Sequence, residues 1–264
     1  SHDLHGRDLL SVSDLSADEM RYIIGLAHRL KKTRALGGLH ERLLAGESIA
    51  LIFEKPSLRT RTTFEIGAWQ LGAHAVYLTD RDIKLGARES VKDVALNLSR
   101  WVNGIVARVF AHQTVVELAE HASVPVINAL SDLEHPCQVI ADLQTVAENL
   151  CENPAEPDFS KLKLAFIGDG NNVANSLLLA AGRLGMSMTV ACPEGYSPDE
   201  KVLAAAQADA ANTGAVIEVS HDRDAAVKDA QVLYTDVWTS MGQEEEADKR
   251  KAAFQEFQIN EDLL

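Results

Sequence analysis

Short apolar segments alternate with longer amphipathic ones along the whole chain. Eight of the short segments predict strands, and most are apolar nearly throughout, as is typical of parallel strands covered on both faces. They are residues 48–53, 74–78, 104–109, 125–130, 163–168, 187–192, 216–220 and 232–237. Helical segments lie between them, such as 17–32, which follows the capping-box sequence Ser16-Ala-Asp-Glu19. The alternation predicts a doubly wound α/β architecture with parallel sheets.

The most polar interruption of this pattern is the segment 151–158, which contains two prolines. Such a segment favours a boundary, so we expect two domains, residues 1–150 and 151–264. In open parallel sheets, ligands bind beyond the carboxyl ends of the strands, where the following helices begin. Candidate binding and catalytic residues are therefore expected in the segments that follow the predicted strands.

Composition narrows the class of protein. The chain has 264 residues, with 25 basic against 39 acidic side chains and a net charge of −14. This charge argues against nucleic-acid and anionic-membrane partners, because the field of the protein repels polyanions. No apolar run approaches the ~20 residues of a membrane helix. Cys137, Cys151 and Cys192 are widely spaced and predict neither disulfides nor a metal site, so we expect a cytoplasmic, metal-free protein.

The first polar segment, Ser57-Leu58-Arg59-Thr60-Arg61, follows the first strand. An amphipathic helix continues from it to Leu71, with Gly72 as its C-cap. Two hydroxyls and two arginines thus lie in the first turn, where backbone N–H groups and the helix dipole favour an anion. Arginine also matches phosphate geometry. The segment predicts a phosphate site; the alternative is a capped helix with a solvated basic turn.

Two further segments suggest contacts to a second group. His135-Pro136-Cys137-Gln138 begins a helix, so a histidine that can donate to a carbonyl oxygen and a glutamine that can contact an amide lie near a strand end. Asp236 lies at the end of the last strand, before a loop that runs through Gln243 and contains Gly242, which suits an amino substrate and a closing loop. The alternatives are a helix-capping histidine and a plain surface loop.

The segment Gly168-Asp-Gly-Asn171-Asn172 partly matches a dinucleotide-binding loop, and Glu194 follows the next strand where a ribose-binding acid would lie. However, Val173 occupies the position of the third glycine, and Asp169 adds a negative charge where a pyrophosphate would bind. These two residues disfavour a dinucleotide site. An NAD-dependent oxidoreductase is kept as the alternative from another functional class.

Three motifs occur in a set order: Ser-X-Arg-Thr-Arg at 57–61, His-Pro-Cys-Gln at 135–138 and Asp-X-X-X-Ser-Met-Gly at 236–242. With them the chain resembles the aspartate/ornithine carbamoyltransferase superfamily, and its ornithine branch, from Leu9 to Leu264. The resemblance implies transfer of a carbamoyl group from carbamoyl phosphate to the δ-amine of L-ornithine, without a cofactor. It also implies a homotrimer or an assembly of trimers.

The resemblance further implies that the first domain binds carbamoyl phosphate, the second binds ornithine, and the active site lies in the cleft between them. The implied carbamoyl phosphate-binding residues are Ser57, Leu58 through its backbone, Arg59, Thr60, Lys84, Arg108, His135 and Gln138. Of these, Arg59, Arg108, His135 and Gln138 are the implied catalytic residues. The implied ornithine-binding residues are Asn172, Asp236, Ser240 and Met241.

Three departures from the family pattern accompany the resemblance. Leu58 stands where most members have threonine, and Lys84 where many have glutamine. Lys84 lies in the charged segment 79–90, which lacks apolar periodicity and is therefore expected to be exposed. The resemblance implies that this segment extends into a neighbouring subunit's site. The family's His-Cys-Leu-Pro segment does not occur in this sequence, so a chain truly truncated at Leu264 is expected to be inactive or nearly so. The alternatives are a transferase for a modified ornithine or another amino acid, and a non-catalytic homologue.

Overall fold

The computed structural model describes residues 3–239 and 244–263, which form two compact units. The first unit contains residues up to 144 together with 154–156, and the second contains 145–153 and residues from 157 onward. Each unit has one sheet of four parallel strands connected through helices. The predicted pair of doubly wound parallel sheets is therefore confirmed. None of the described helices is both long and apolar enough to cross a membrane.

The sheet of the first unit has the strand order β2-β1-β3-β4. Its strands are β1 (Ser48–Phe53), β2 (His74–Thr79), β3 (Gly104–Arg108) and β4 (Val126–Leu130). Its helices are α1 (Ala17–Ala35), α2 (Leu58–Leu71), α3 (Asp80–Ile83), α4 (Val91–Leu98), α5 (His112–His121) and α6 (Pro136–Leu150), whose last turns belong to the second unit. The central strands β1 and β3 are the most buried, since both faces of each are covered.

The edge strand β4 is partly covered by the N-terminal segment. The Leu9 N–H donates to the Val126 carbonyl at 2.9 Å, and the Asn128 N–H donates to the Leu9 carbonyl at 2.8 Å. The Asn128 side chain also donates to the Leu10 carbonyl at 2.8 Å. These bonds fix the backbone of β4 just before the segment that carries His135.

The sheet of the second unit has the strand order β7-β6-β5-β8. Its strands are β5 (Lys163–Ile167), β6 (Ser187–Ala191), β7 (Ile217–Ser220) and β8 (Val232–Tyr234). Its helices are α7 (Asn172–Leu184), α8 (Glu200–Thr213), α9 (Arg223–Val227) and α10 (Ala247–Ala253). Helix α7 is buried along most of its length and packs against α8. A Cβ atom on Gly182 would lie 2.3 Å from the Ala206 carbonyl oxygen, so only glycine allows this approach.

The predicted strands agree with the observed ones to within one residue at each end, except at β8. That strand ends at Tyr234 rather than at 237, because the Thr235 hydroxyl donates to the Ile167 carbonyl at 2.7 Å and takes the place of the backbone ladder. Helix α1 continues three residues beyond the predicted end, to Ala35. The capping box at Ser16 and the left-handed C-cap at Gly72 are both present.

The segment 79–90 is mostly exposed, as expected, but it is not irregular throughout. Residues 80–83 form α3, and Ile83 is buried. The Asp82 carboxylate accepts from the Thr79 N–H at 2.7 Å, which caps this turn. Lys84 follows with a φ of 49°, a left-handed conformation that few residues other than glycine adopt.

The close approach of α7 and α8 gives a stability prediction. We expect Gly182→Ala to lower the free energy of unfolding of the second unit by about 1–3 kcal/mol, because the added methyl group overpacks the helix contact. Gly67→Ala is the matched control, since a Cβ atom there meets no described atom within 4 Å apart from its chain neighbours and the backbone of its own helix. In helix α2 this control should stabilise the first unit by about 0.5–1 kcal/mol. Chemical denaturation followed by circular dichroism measures both, and equal effects would contradict the packing argument.

Candidate active site

In each unit, some of the candidate residues lie where the strand order reverses, whereas Lys84 follows β2 and His135 and Gln138 follow β4. In the first unit, β1 is followed in sequence by β2 on one side, whereas β3 lies on its other side. Helix α2 begins after β1, and Arg108 ends β3. In the second unit the reversal lies between β5 and β8, where residues 168–172 and Asp236 are found. Ligands of open α/β sheets bind at such switch points.

Ser57 organises the first turn of α2. Its hydroxyl oxygen accepts from the Thr60 N–H at 3.3 Å, and its hydroxyl donates to the Thr60 Oγ1 at 3.1 Å. The first turn contains no acidic residue, and the Leu58 side chain is 82% exposed. Helix N–H groups that are not opposed by an acid favour an anion. The local geometry therefore agrees with the predicted phosphate site.

Arg108 is a charged residue with unusual surroundings in the first unit. It is 6% exposed, and its Nη1 donates to the Thr60 Oγ1 at 3.3 Å. Its buried Nε has no hydrogen-bond partner, and its guanidinium forms no ion pair with any described residue. Burial lowers the pKa of Arg108, and the nearby Arg59 lowers it further. A buried cation beside a second cation is unfavourable unless an anion compensates it.

The two arginines of the first motif have different surroundings. The Arg61 guanidinium lies over the Tyr77 ring, 3.7 Å from its centroid, and pairs with Glu65 at 3.2 Å. Arg61 therefore stabilises the packing of α2 against β2. Arg59 is exposed and is close enough to Arg108 to affect its pKa. Of these two arginines, only Arg59 is placed to contact an anion at the switch point.

His135 precedes α6, and its carbonyl accepts from the Val139 N–H at 3.2 Å. Burial lowers the pKa of His135 to about 4, and the Arg108 charge contributes to the shift. The imidazole is therefore neutral at pH 7 and carries one N–H donor. The Gln138 Nε2 donates to Asp142 Oδ1 at 2.9 Å. Burial raises the pKa of the Cys137 thiol to about 12, so this thiol is unreactive.

In the second unit, Asn171 connects helix α7 to Asp236. Its side-chain oxygen accepts from the N–H groups of Val173 and Ala174 at 3.0 and 3.1 Å. Its Nδ2 donates to Asp236 Oδ2 at 3.0 Å, while the Val237 N–H donates to Asp236 Oδ1 at 2.7 Å. Asn171 was not among the predicted site residues, although an asparagine before a helix start is a typical N-cap signal. The predicted residue, Asn172, is the first residue of α7.

Arg250 is a second residue that sequence reasoning missed. It is 7% exposed, pairs with Asp169 at 2.8 Å and donates to the Trp238 carbonyl at 3.1 Å. Burial raises the pKa of Asp169, and the nearby Asp236 adds to the rise, while Arg250 opposes it. Arg250 therefore fixes the backbone just before Ser240 and Met241, which lie outside the described residues. No local signal in the sequence connects Arg250 to Asp169.

The partial match to a dinucleotide-binding loop has a packing explanation. A Cβ atom on Gly170 would lie 2.2 Å from the Pro198 nitrogen, so glycine is required by the neighbouring chain segment. Asp169 is paired with Arg250 rather than facing a phosphate. Among residues 3–239 and 244–263, no group of three or more histidine, cysteine or acidic side chains could hold a metal ion.

Asp236 also borders a cavity of about 580 Å³ in the second unit. The described lining residues include Trp238, Thr239, Asp248 and Lys251. Asp236 is partly exposed beside this cavity, and each of its carboxylate oxygens already accepts one hydrogen bond. A carboxylate oxygen has two lone pairs and can accept again.

Comparison with known families matches both units. Residues 7–148 match the model described as aspartate/ornithine carbamoyltransferase, carbamoyl-P binding domain. Residues 160–264 match the model described as aspartate/ornithine carbamoyltransferase, Asp/Orn binding domain. An ornithine carbamoyltransferase of Thermococcus kodakarensis is 48% identical over 261 residues, which cover 99% of this chain and 81% of that protein. An anabolic ornithine carbamoyltransferase of Pyrococcus furiosus shows the same identity and the same shares.

Solved structures agree with this similarity. Ornithine carbamoyltransferase from Pyrococcus furiosus superposes with a TM-score of 0.93 at 47% identity, covering 100% of this chain and 82% of that chain. Anabolic ornithine carbamoyltransferase from Campylobacter jejuni superposes with a TM-score of 0.90 at 37% identity, covering 97% of this chain and 81% of that chain.

The surroundings of His135 give a titration prediction. We expect its midpoint near pH 4 in the folded protein, against the ordinary value of 6.5. Because the unfolded chain binds this proton more tightly, the free energy of unfolding should fall as the pH drops from 6.5 towards 4. Arg108→Met should raise the midpoint without restoring 6.5, since burial is the larger cause. Proton NMR of the imidazole measures both midpoints. A wild-type midpoint near 6.5 would contradict the buried surroundings of His135 described above.

Proposed function

Since this chain belongs to the aspartate/ornithine carbamoyltransferase family, we infer that it acts as an ornithine carbamoyltransferase. It transfers the carbamoyl group of carbamoyl phosphate to the δ-amine of L-ornithine and releases L-citrulline and phosphate. The resemblance drawn from three sequence motifs is thereby confirmed, because ornithine carbamoyltransferases are 48% identical to nearly the whole chain.

The single observation that carries the site assignment is the buried charge of Arg108. Its guanidinium has no carboxylate partner among the residues described, and Arg59 increases the local positive potential. The dianionic phosphate of carbamoyl phosphate supplies the compensating charge. We assign Ser57, the Leu58 N–H, Arg59 and Thr60 to the phosphate. Arg108 contacts both the phosphate and the carbonyl oxygen of the substrate.

The same residues account for the chemistry. The neutral δ-amine of ornithine attacks the carbonyl carbon, and negative charge develops on the carbonyl oxygen. Arg108 and the neutral His135 donate to that oxygen, with each preorganised donor contributing about 2.7–4 kcal/mol. The charge of Arg59 stabilises the oxygen from the phosphate site, where the single hydroxyl proton of Thr60 is used. The tetrahedral intermediate then expels phosphate, and the departing phosphate takes up the proton that the attacking amine loses. Phosphate leaves readily, so the reaction requires no cofactor.

Gln138 contacts the carbamoyl nitrogen in this proposal. Its own NH₂ group is occupied by Asp142 at 2.9 Å, which orients the side-chain amide. The amide oxygen is then directed away from Asp142 and can accept from the carbamoyl NH₂. This orientation distinguishes the carbamoyl NH₂ from the carbonyl oxygen, because only the former can donate.

The second substrate is assigned to the second unit. Asp236 pairs with the α-ammonium group of ornithine, and Asn172 contacts the same end of the substrate. Asn171 and the Val237 N–H hold the two Asp236 oxygens, so the carboxylate is already oriented before ornithine binds. Ser240 and Met241 belong to the segment outside the described residues and complete the proposed ornithine site.

Assembly and location are part of the same proposal. We assign the chain to a homotrimer or an assembly of trimers, in which Lys84 reaches the phosphate site of a neighbouring subunit. Lys84 is exposed and forms no ion pair within the described part of the chain. A cytoplasmic location suits the three free thiols of Cys137, Cys151 and Cys192, because disulfides are rare in that compartment.

Steady-state assay of citrulline formation by the full-length protein tests the function. Ornithine, N-acylated ornithines and aspartate serve as alternative acceptors, with carbamoyl phosphate as the donor. Ornithine should give the highest kcat/KM by a wide margin. Preference for an acylated ornithine would overturn the substrate assignment and would make the exposed Leu58 the first residue to examine.

We predict that Arg59→Ala lowers kcat/KM for carbamoyl phosphate by about tenfold or more, because a charge-assisted bond to phosphate is lost. Arg61→Ala is the matched control. It removes the same charge from the same turn, but its described contacts are Tyr77 and Glu65. The control should stay within about threefold of the wild type. Equal losses in the two folded variants would contradict the different roles of the two arginines.

We also predict that Asp236→Asn raises KM for ornithine by about tenfold or more, since an oriented carboxylate is replaced by a neutral amide. KM for carbamoyl phosphate should change little, because that substrate is assigned to the other unit. Asp248→Asn, on the border of the same cavity, controls for the loss of a negative charge. An unchanged ornithine KM beside a raised carbamoyl phosphate KM would mean that the two sites are assigned to the wrong units.

A further inference from the structure

Glu54 holds the backbone on both sides of Val109. It directly follows β1, which is paired with β3 up to Phe53 and Arg108. The Glu54 N–H donates to the Arg108 carbonyl at 2.9 Å, and the Glu54 carboxylate accepts from the Phe110 N–H at 2.6 Å. The end of β3 is thus fixed by two hydrogen bonds to one residue. Its backbone cannot shift without breaking a charge-assisted bond.

Phe110 in turn contacts the end of β4. Its carbonyl accepts from the Asp132 N–H at 3.0 Å, and the Asp132 carboxylate accepts from the His112 N–H at 2.7 Å. The Lys55 ammonium lies over the Phe110 ring, 4.3 Å from its centroid. Both backbone groups of Phe110 are therefore bonded, one to the residue after β1 and the other to the segment after β4.

This chain of hydrogen bonds connects the three segments that carry the proposed carbamoyl phosphate site. Glu54 lies three residues before Ser57, Phe110 lies two residues after Arg108, and Asp132 lies three residues before His135. We propose that Glu54 is a positioning residue for that site: its carboxylate fixes Phe110 and thereby sets the spacing of Arg108 and His135 relative to the first turn of α2. The inference rests on the proposed function.

The charge of Glu54 acts against this role. The carboxylate is partly buried, and burial together with the nearby Asp80 raises its pKa. A negative charge close to a phosphate site repels the substrate. The contribution of Glu54 therefore comes from its reach and its acceptor oxygen. The reach of the Glu54 side chain and its negative charge therefore have opposite effects, and an alanine substitution alone would remove both at once.

Three variants separate reach from charge. Glu54→Gln keeps an acceptor oxygen at the same distance but removes the charge, whereas Glu54→Asp keeps the charge but is one methylene shorter. Glu54→Ala removes both. Glu120→Ala, at an exposed position on α5, controls for a lost surface carboxylate. The readouts are citrulline kinetics, titration with the carbamoyl phosphate analogue phosphonoacetamide, and amide hydrogen exchange of Phe110 in the full chain.

Glu54→Asp and Glu54→Ala should each lower kcat/KM for carbamoyl phosphate by about tenfold or more and speed exchange of the Phe110 amide. Glu54→Gln should stay within about threefold of the wild type and bind phosphonoacetamide at least as tightly. KM for ornithine should change by less than about twofold in all of them. If Glu54→Ala does not fold, the comparison of Glu54→Gln with Glu54→Asp tests the inference.

Two results would overturn the inference. One is a Glu54→Asp variant with wild-type kinetics and exchange, which would show that reach is unimportant. The other is tighter phosphonoacetamide binding by Glu54→Ala as well as Glu54→Gln, which would show that only charge matters. A wild-type protein that neither binds phosphonoacetamide nor forms citrulline would overturn the proposed function, and this inference with it.

Discussion

The burial of Arg108 is the constraint around which the first unit is arranged. Arg108 is 6% exposed and its charge needs compensation, yet the hydrogen-bond partner of its guanidinium is the neutral hydroxyl of Thr60. The surroundings reinforce the positive potential, because Arg59 is nearby and the α2 N-terminus has no acid in its first turn. In a chain of net charge −14, such a pocket has to be built locally. The same positive potential and burial keep His135 neutral, which leaves it able to donate one hydrogen bond.

The two units have the same kind of strand topology but bring side chains of opposite charge to their switch points. Each sheet reverses its strand order beside a strand that is followed by a capped helix, α2 after β1 and α7 after β5. The residue brought to the α2 N-terminus is the cation Arg108, whereas the one brought to the α7 N-terminus is the anion Asp236. The first arrangement suits a phosphate and the second suits an ammonium group. In the proposed function, units of the same architecture therefore distinguish a phosphate group from an ammonium group.

Positions that resemble a functional motif can have a purely structural cause. In the sequence, Gly170 matches a dinucleotide-binding loop. In the structure, a Cβ atom on Gly170 would lie 2.2 Å from the Pro198 nitrogen, so packing requires glycine there. Asp169, which argued against that loop on charge alone, is bonded to Arg250. Arg61, part of the first motif, packs on Tyr77. In each case the distinction depends on a neighbour that is distant in sequence, so spacing along the chain could not reveal it.

The sequence by itself determined the fold class, the strand positions and the family, because alternation of apolar segments and the order of three short motifs are properties of local sequence. It also placed residues 57–61 in the first turn of a helix. Only the tertiary structure decided which arginine faces the switch point, that Asn171 holds Asp236, and that Arg250 and Glu54 anchor the flanking segments. The β8 strand ends early because a hydroxyl bond from Thr235 replaces the backbone ladder. These features arise from hydrogen bonds and burial between residues far apart in the chain, and such contacts leave no periodic signal in the sequence.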